Sequence, residues 1–152
     1  MAKSFLKLVS AELYRLITCI LICFCSTIHA ETIVVTRIDS NFDHLTKTEL
    51  NQLWLKQIFY INDIKIDIRD LPEKHPARLV FYNHAIGKSG KKLSAYWAIR
   101  VFRGEDFPPV TLASEKKAIQ WVIGAKNRAV YLDSRHLNKD VKTVYIVADA
   151  IE

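Results

Sequence analysis

The residues best suited to chemistry lie in one short stretch, Asp70 to Arg78 (DLPEKHPAR), directly after Ile64 to Arg69 (IKIDIR). Alternation of Ile64, Ile66 and Ile68 with Lys65, Asp67 and Arg69 predicts a strand of buried type. Pro76 suits the first position of a helix, where its missing N–H costs nothing. The free N–H groups of that first turn would point back over the loop from Asp70 to His75, and the helix dipole adds partial positive charge there. Lys74, His75 and Arg78 add side-chain charge, with Arg69 at the strand end. Such a junction suits a small oxyanion. The same residues also compose an ordinary strand-to-helix turn with a solvated basic rim, and local sequence favours that plainer reading.

Catalytic chemistry gathers no support. His75, His84 and His136 have no serine or cysteine partner in a recognisable motif, and no pair shows the H-x-x-x-H spacing of a metal site. Asp67 and Asp70 flank a strand end, but nothing marks them as an acid–base pair. The reading is a binding protein with no cofactor and no metal, not an enzyme.

Residues 1–30 read as a secretory signal peptide. A basic start (Lys3, Lys7, Arg15) precedes the apolar run LITCILICFCSTI, and Ala30 offers a cleavage point. Ile17 to Ile28 is short for a bilayer span of about 20 residues. An uncleaved anchor is the competing reading. All three cysteines (Cys19, Cys23, Cys25) fall in this segment, so the remaining chain has neither disulfides nor thiolate chemistry. Residues 31–152 suffice for one domain, and no linker, repeat or low-complexity tract suggests a second. The whole sequence carries 22 Lys and Arg against 16 Asp and Glu. Because both signs are interspersed and export removes the usual nucleic-acid partners, a small anion accounts for the excess better than nucleic acid does.

Several elements would position the junction. Glu31 to Thr36 (ETIVVT) reads as a strand buried on both faces. A polar loop, RIDSNFDH, carries Ser40 and Asn41 and leads to a helix opened by Thr46 with Glu49 three residues later, a capping box. Leu50, Leu53 and Trp54 give that helix an apolar stripe. Asn62-Asp63 predicts a turn. The Pro76 helix is expected to bury Leu79, Phe81 or Tyr82, and Ile86, and to stop at Gly87. A further helix carries Leu93, Tyr96, Trp97, Arg100 and Val101 and ends at Gly104, before an extended Phe107-Pro108-Pro109. Ser114 opens a short helix with Ala118, Ile119, Val122 and Ile123 inward and Gly124 at its end. Strands over 129–132 and 141–147 follow, the latter with Val144 and Ile146 on one face. Alternating strands and helices predict an α/β domain with a mixed, mainly parallel sheet. Ligands bind such sheets beyond strand carboxyl ends. The loops after Thr36 and after Arg69 are therefore the expected binding edge.

The chain resembles the short, phosphate-binding-protein-like periplasmic proteins related to the substrate-binding subunit of phosphate ABC transporters. The residues carrying the resemblance are the capped L-T-x-x-E-L helix (Leu45 to Leu50), the Tyr60-Ile61-Asn62-Asp63 turn and D-x-P-E-x-x-P-x-R-x-x-F (Asp70 to Phe81). Ile86-Gly87-Lys88, Tyr96-Trp97, F-x-G-x-x-x-P-P (Phe102 to Pro109) and a strand ending in Tyr131 complete it. The resemblance implies a type II periplasmic-binding-protein-like fold, close to a single lobe. It also implies a soluble oxyanion binder, phosphate first, in the periplasm, with an inner-membrane ABC permease or another periplasmic protein as partner. Four positions depart from the family pattern: Leu55 and Val130 stand where glycines are usual, and Lys74-His75 stands where Gly-Ser is usual. Histidine is a weaker N-cap than serine. Arg78 is retained as a charge-assisted donor.

The expected anion-binding residues are Ser40, Asn41, Arg69, His75 and Arg78. A periplasmic interaction protein that keeps the fold without the anion site is the alternative. Convergence of Ser40, Asn41, Arg69 and Arg78 on one cleft would favour the binder, and a surface patch of Tyr82, Tyr96 and Phe107 would favour the alternative. If residues 1–30 are a leader, intact-mass measurement on a periplasmic extract gives a chain beginning at Glu31. Full-length protein confined to the membrane fraction contradicts that reading.

Overall fold

The computed structural model describes residues 31–147. The expected leader, its cleavage point and all three cysteines lie outside these residues.

The elements in order are β1 (Thr32–Arg37), α1 (Lys47–Trp54), β2 (Tyr60–Ile61), β3 (Ile64–Lys65), β4 (Asp67–Ile68), α2 (Pro76–Val80), α3 (Gly90–Phe102), α4 (Glu115–Val122), β5 (Arg128–Asp133) and β6 (Val141–Val147). α2 continues without a break into a π-helical segment, Phe81–Ile86. A 3₁₀ turn, Ser134–His136, follows β5.

Four strands form a sheet in the order β4-β5-β1-β6. β1 runs antiparallel to both β5 and β6, and β4 runs parallel to β5. Three strands thus share one direction and β1 opposes them. Ile33 to Thr36 are all buried. Because successive side chains on a strand point to opposite faces, both faces of β1 are covered. The expected mixed α/β architecture is present.

Local chemistry explains most boundaries. Thr46 caps α1 as a full capping box: its Oγ1 accepts from Glu49 N at 3.2 Å, and Glu49 Oε2 accepts from Thr46 N at 2.8 Å. Leu50, Leu53 and Trp54 are buried as their spacing predicts. Asn62 and Asp63 both take positive φ (47° and 64°), which joins β2 to β3 as a tight hairpin. Gly87 ends the Pro76 run in the left-handed region at φ 69°.

Three expectations are corrected. The strand over 64–69 is split: Ile64–Lys65 pairs with β2, whereas Asp67–Ile68 pairs with β5. Ile66 N turns to Phe59 O at 2.8 Å and Asp67 N to Asn127 O at 2.8 Å, so the chain changes partner between them. Leu79 is 50% exposed, not inward. Ala77 and Phe81 define the buried side, and the π turn widens it to take Tyr82, Ala85 and Ile86 as well. Ile146 is 54% exposed although Val144 is buried. Val34 faces Tyr145 and Val35 faces Thr143, which leaves Val144 as a bulge that breaks the alternation.

Trp54, Phe81, Tyr82 and Tyr131 form the aromatic centre of the core. Phe81 stacks on Tyr131 with centroids 4.1 Å apart, and Trp54 meets Phe81 edge-on at 5.0 Å. Trp54→Ala is expected to cost about 3–5 kcal/mol in urea denaturation. Phe102→Ala, at a position 93% exposed, changes stability by no more than about 0.5 kcal/mol. Equal losses would contradict this assignment of the core.

Candidate functional site

After β4 three residues, Arg69 to Leu71, lead to Pro72. Asp70 N donates to Val110 O at 2.9 Å, and Asp70 O accepts from Leu112 N at 2.8 Å. This bridge holds the Asp70 side chain inward, where it is 1% exposed. Oδ1 accepts from the Tyr131 hydroxyl and from Leu71 N at 3.0 Å. Oδ2 accepts from the Tyr82 hydroxyl at 2.9 Å and lies 2.7 Å from Arg78 Nη1. A carboxylate offers about four lone-pair sites; three accept hydrogen bonds, and the Arg78 charge lies against Oδ2.

Burial pushes the Asp70 carboxyl above its ordinary value of 3.8, and the Arg78 charge, both tyrosine hydroxyls and Leu71 N pull against it. Burial and the neighbouring carboxylate drive the Tyr82 and Tyr131 phenols far upward, so both remain donors.

Arg78 is thus one of the expected site residues with a built environment. It reaches Asp70 from the first turn of α2. Its Nη1 also donates to Leu71 O at 2.8 Å, and its guanidinium lies 4.9 Å over the Tyr82 ring. The arginine is held on one edge and flanked by an aromatic face.

His75 occupies the N-cap of α2 but makes no side-chain cap bond. Its Nε2 lies 3.9 Å from Glu115 Oε2, which is also 3.0 Å from His136 Nδ1. Glu115 is buried, and its Oε1 accepts from Asp133 N at 2.7 Å. An internal carboxylate therefore lies beside His75, on the loop expected to face an anion. His75 Nδ1 is buried without a partner among the described residues. Sequence offered no signal for Glu115 beyond its place in the first turn of α4.

The other three expected residues lie elsewhere. Arg69 and Asp70 are successive residues of extended chain, so their side chains diverge. Arg69 Nη1 donates to Ile68 O at 2.9 Å and pairs with Asp67 at 3.2 Å, and its guanidinium lies 4.8 Å over Trp121. Ser40 and Asn41 follow β1. Thr36 sits opposite Ala129 at the start of β5, whereas the chain after β4 advances to Tyr131 further along the same strand. The two loops consequently leave opposite ends of the sheet's strands, because β1 opposes its neighbours. Ser40 O accepts from Lys142 Nζ at 2.9 Å, and Asn41 is exposed. The five residues do not meet in one cleft. Tyr82, Tyr96 and Phe107 form no common surface patch either. Tyr82 is buried, Tyr96 is half-buried and donates to Leu55 O at 2.8 Å, and Phe107 is exposed.

A cleft of about 390 Å³ opens between α2 and α3. Arg78 and Tyr82 form one wall, Ser89, Leu93 and Trp97 the other, and Glu73, Pro108 and Thr111 border it. Residues 89–97 entered the sequence reading only as helix and core. Their partnership with Arg78 depends on how α3 packs, which no local motif reports. Among the described residues, no group of three or more His, Cys, Asp or Glu side chains could hold a metal ion.

The pKa direction of Asp70 sets a pH dependence. Between its ordinary value and its higher native value, Asp70 binds a proton more tightly in the folded chain than in the unfolded chain. The folded state is favoured as pH falls through that window and disfavoured as pH rises through it. Asp70→Asn does not titrate, so its stability relative to wild type is expected to rise as pH increases from about 4. The opposite slope in paired urea melts would show that Arg78 outweighs burial.

No protein-family model matches the chain, and no curated protein is similar to it by sequence. Solved structures do match. An ABC-type phosphate transport receptor from Vibrio cholerae superposes with a TM-score of 0.61 at 16% identity, covering 76% of this chain and 45% of the receptor. A substrate-binding protein with bound phosphate from Clostridium perfringens, assigned to a phosphate ABC transporter, gives 0.60 at 14% identity, covering 76% and 44%. PstS from Borrelia burgdorferi gives 0.50 at 11% identity, covering 68% and 40%. The chain spans under half the length of these receptors. Its fold is that of a periplasmic-binding-protein-like α/β unit, close in size to a single lobe of a phosphate receptor.

Proposed function

We propose that this chain is an exported binding protein for a small oxyanion, phosphate first, acting in the periplasm in ABC-type transport or sensing, and not an enzyme. The observation that carries the reading is the placement of Arg78 on the cleft wall with one edge held by the buried Asp70. A guanidinium has five N–H donors. Only Nη1 is engaged by Asp70 and Leu71 O, which leaves Nε and Nη2 without an acceptor among the described residues. Fixing one edge of a long, flexible side chain removes much of the ordering cost of binding. The hydroxyl of Ser89, which makes no capping bond to α3, lies on the opposite wall.

The fold shared with phosphate receptors supports the choice of anion, and an inner-membrane permease or another periplasmic protein is the corresponding partner. On this reading the anion meets Arg78 from the α3 side. Ser40, Asn41 and Arg69 are not part of the contact, and His75 belongs to the Glu115 cluster.

The second reading, an interaction protein without an anion site, draws on a specific observation. Asp70 and Glu115 set carboxylates against Arg78 and His75, two of the residues expected to supply positive charge. Thermal shift separates the two. Phosphate at about 100 times its dissociation constant stabilises by roughly 2.7 kcal/mol, which raises Tm by several degrees for a domain of this size. Arg78→Lys keeps a charge for Asp70 but loses the planar fork, and it is expected to weaken phosphate at least tenfold. Arg103→Ala, at a position 66% exposed, leaves the shift intact. Equal shifts with phosphate, sulfate and chloride at matched ionic strength, unaffected by Arg78→Lys, would establish the second reading.

A further inference from the structure

Helix α3 is apolar on two opposite sides, and the fold covers only one of them. Leu93, Tyr96 and Trp97 form the packed stripe, with Leu93 and Trp97 buried and Tyr96 half-buried. Ala95, Ala98, Ile99 and Phe102 recur at helical spacing within an arc of about 100° on the far side. All four are exposed, Ile99 to 52% and Phe102 to 93%. The outward stripe of a surface helix is ordinarily charged, whereas a helix apolar on both sides is one packed between two neighbours. Among the described residues nothing covers this second stripe.

The stripe is complementary to itself. Its bulk is graded, with Ala95 and Ala98 toward the N-terminal end and Ile99 and Phe102 toward the C-terminal end. Two copies laid antiparallel about a two-fold axis between Ala98 and Ile99 set Phe102 of each against Ala95 of the other, and Ile99 against Ala98. A two-fold contact requires this reciprocity, in which residue i meets j and j meets i. The charges agree with the same register. Lys91 and Lys92 fall opposite Asp106 and Glu105, and Arg103 falls opposite Ser94, so no like charges meet. A parallel arrangement would bring the lysine pairs together, a like-charge contact that opposes association.

We propose that α3 is the contact surface for a second copy of this chain, the two helices packing antiparallel through Ala95, Ala98, Ile99 and Phe102. The helix has 13 residues and is therefore about 20 Å long. One helix face of that length falls short of the roughly 800 Å² per partner of a standard interface. The dimer accordingly dissociates on dilution.

Sedimentation equilibrium of the purified full chain over a concentration series tests the contact. Wild type should follow a monomer–dimer equilibrium. Phe102→Ala and Ala98→Glu, both at exposed positions, should each weaken it at least tenfold. Ala95→Phe combined with Phe102→Ala exchanges the two sides of one contact and should restore affinity to within about threefold of wild type. Urea melts of dilute, monomeric protein should give nearly the same midpoint for all four forms, which separates lost pairing from lost folding. A wild-type protein that stays monomeric throughout the series overturns the inference. Dimerisation that Phe102→Ala and Ala98→Glu leave unchanged overturns it in favour of another face, such as the edge strand β6. Lost pairing that the exchange does not restore overturns the antiparallel packing.

Discussion

The carboxylate of Asp70 is almost wholly shielded from solvent, so it must find its partners inside the protein. A buried anion missing even one such partner costs several kcal/mol. Those partners come from three separate parts of the chain: Tyr82 and Arg78 on the Pro76 helix, Tyr131 in the middle of β5, and Leu71 next door. Satisfying Asp70 therefore fixes where that helix lies on the sheet. The π turn is part of the same arrangement. It brings Tyr82 to the buried side together with Phe81, so one residue supplies the hydrogen bond while the other stacks on Tyr131.

The same constraint shapes the site. Because Asp70 takes only one edge of Arg78, the guanidinium is oriented without being used up. Arg69, one residue before Asp70, is turned the other way and spends its charge on Asp67 and on Trp121. Trp121 also carries Arg128 at 4.9 Å, and Arg128 donates to Trp121 O at 2.8 Å. A methyl group built at Gly124 would lie 2.5 Å from Arg128 Nη1. A side chain there would oblige the flexible Arg128 guanidinium to move aside. Two of the basic residues that sequence grouped together thus serve different structures on different sides of the sheet.

Elements set by short-range chemistry were legible in the sequence. The Thr46–Glu49 capping box, the Asn62-Asp63 turn, Pro76 at a helix start and Gly87 at its end all depend on residues within a few positions of one another. What was not legible depends on distant partners. The split of the 64–69 strand follows from Phe59 and Asn127 competing for adjacent backbone groups. The exposure of Ile146 follows from a bulge that only the pairing with β1 creates. Ser40 and Asn41 looked like site residues because a mainly parallel sheet suggested one common edge. The reversed direction of β1 sends their loop to the other side. Asp70 itself read as an unremarkable strand-end acid, since its two tyrosines lie 12 and 61 residues away.

The central claim is that Arg78, held by Asp70, receives an oxyanion on its free edge. The Arg78 Nε–Hε signal in a ¹⁵N NMR titration with phosphate reports on that edge directly. A saturable shift of this signal, with the exposed Arg103 signal unmoved, is the result the account predicts. An Arg78 signal that stays still, or that drifts linearly with salt along with every other arginine, would contradict it.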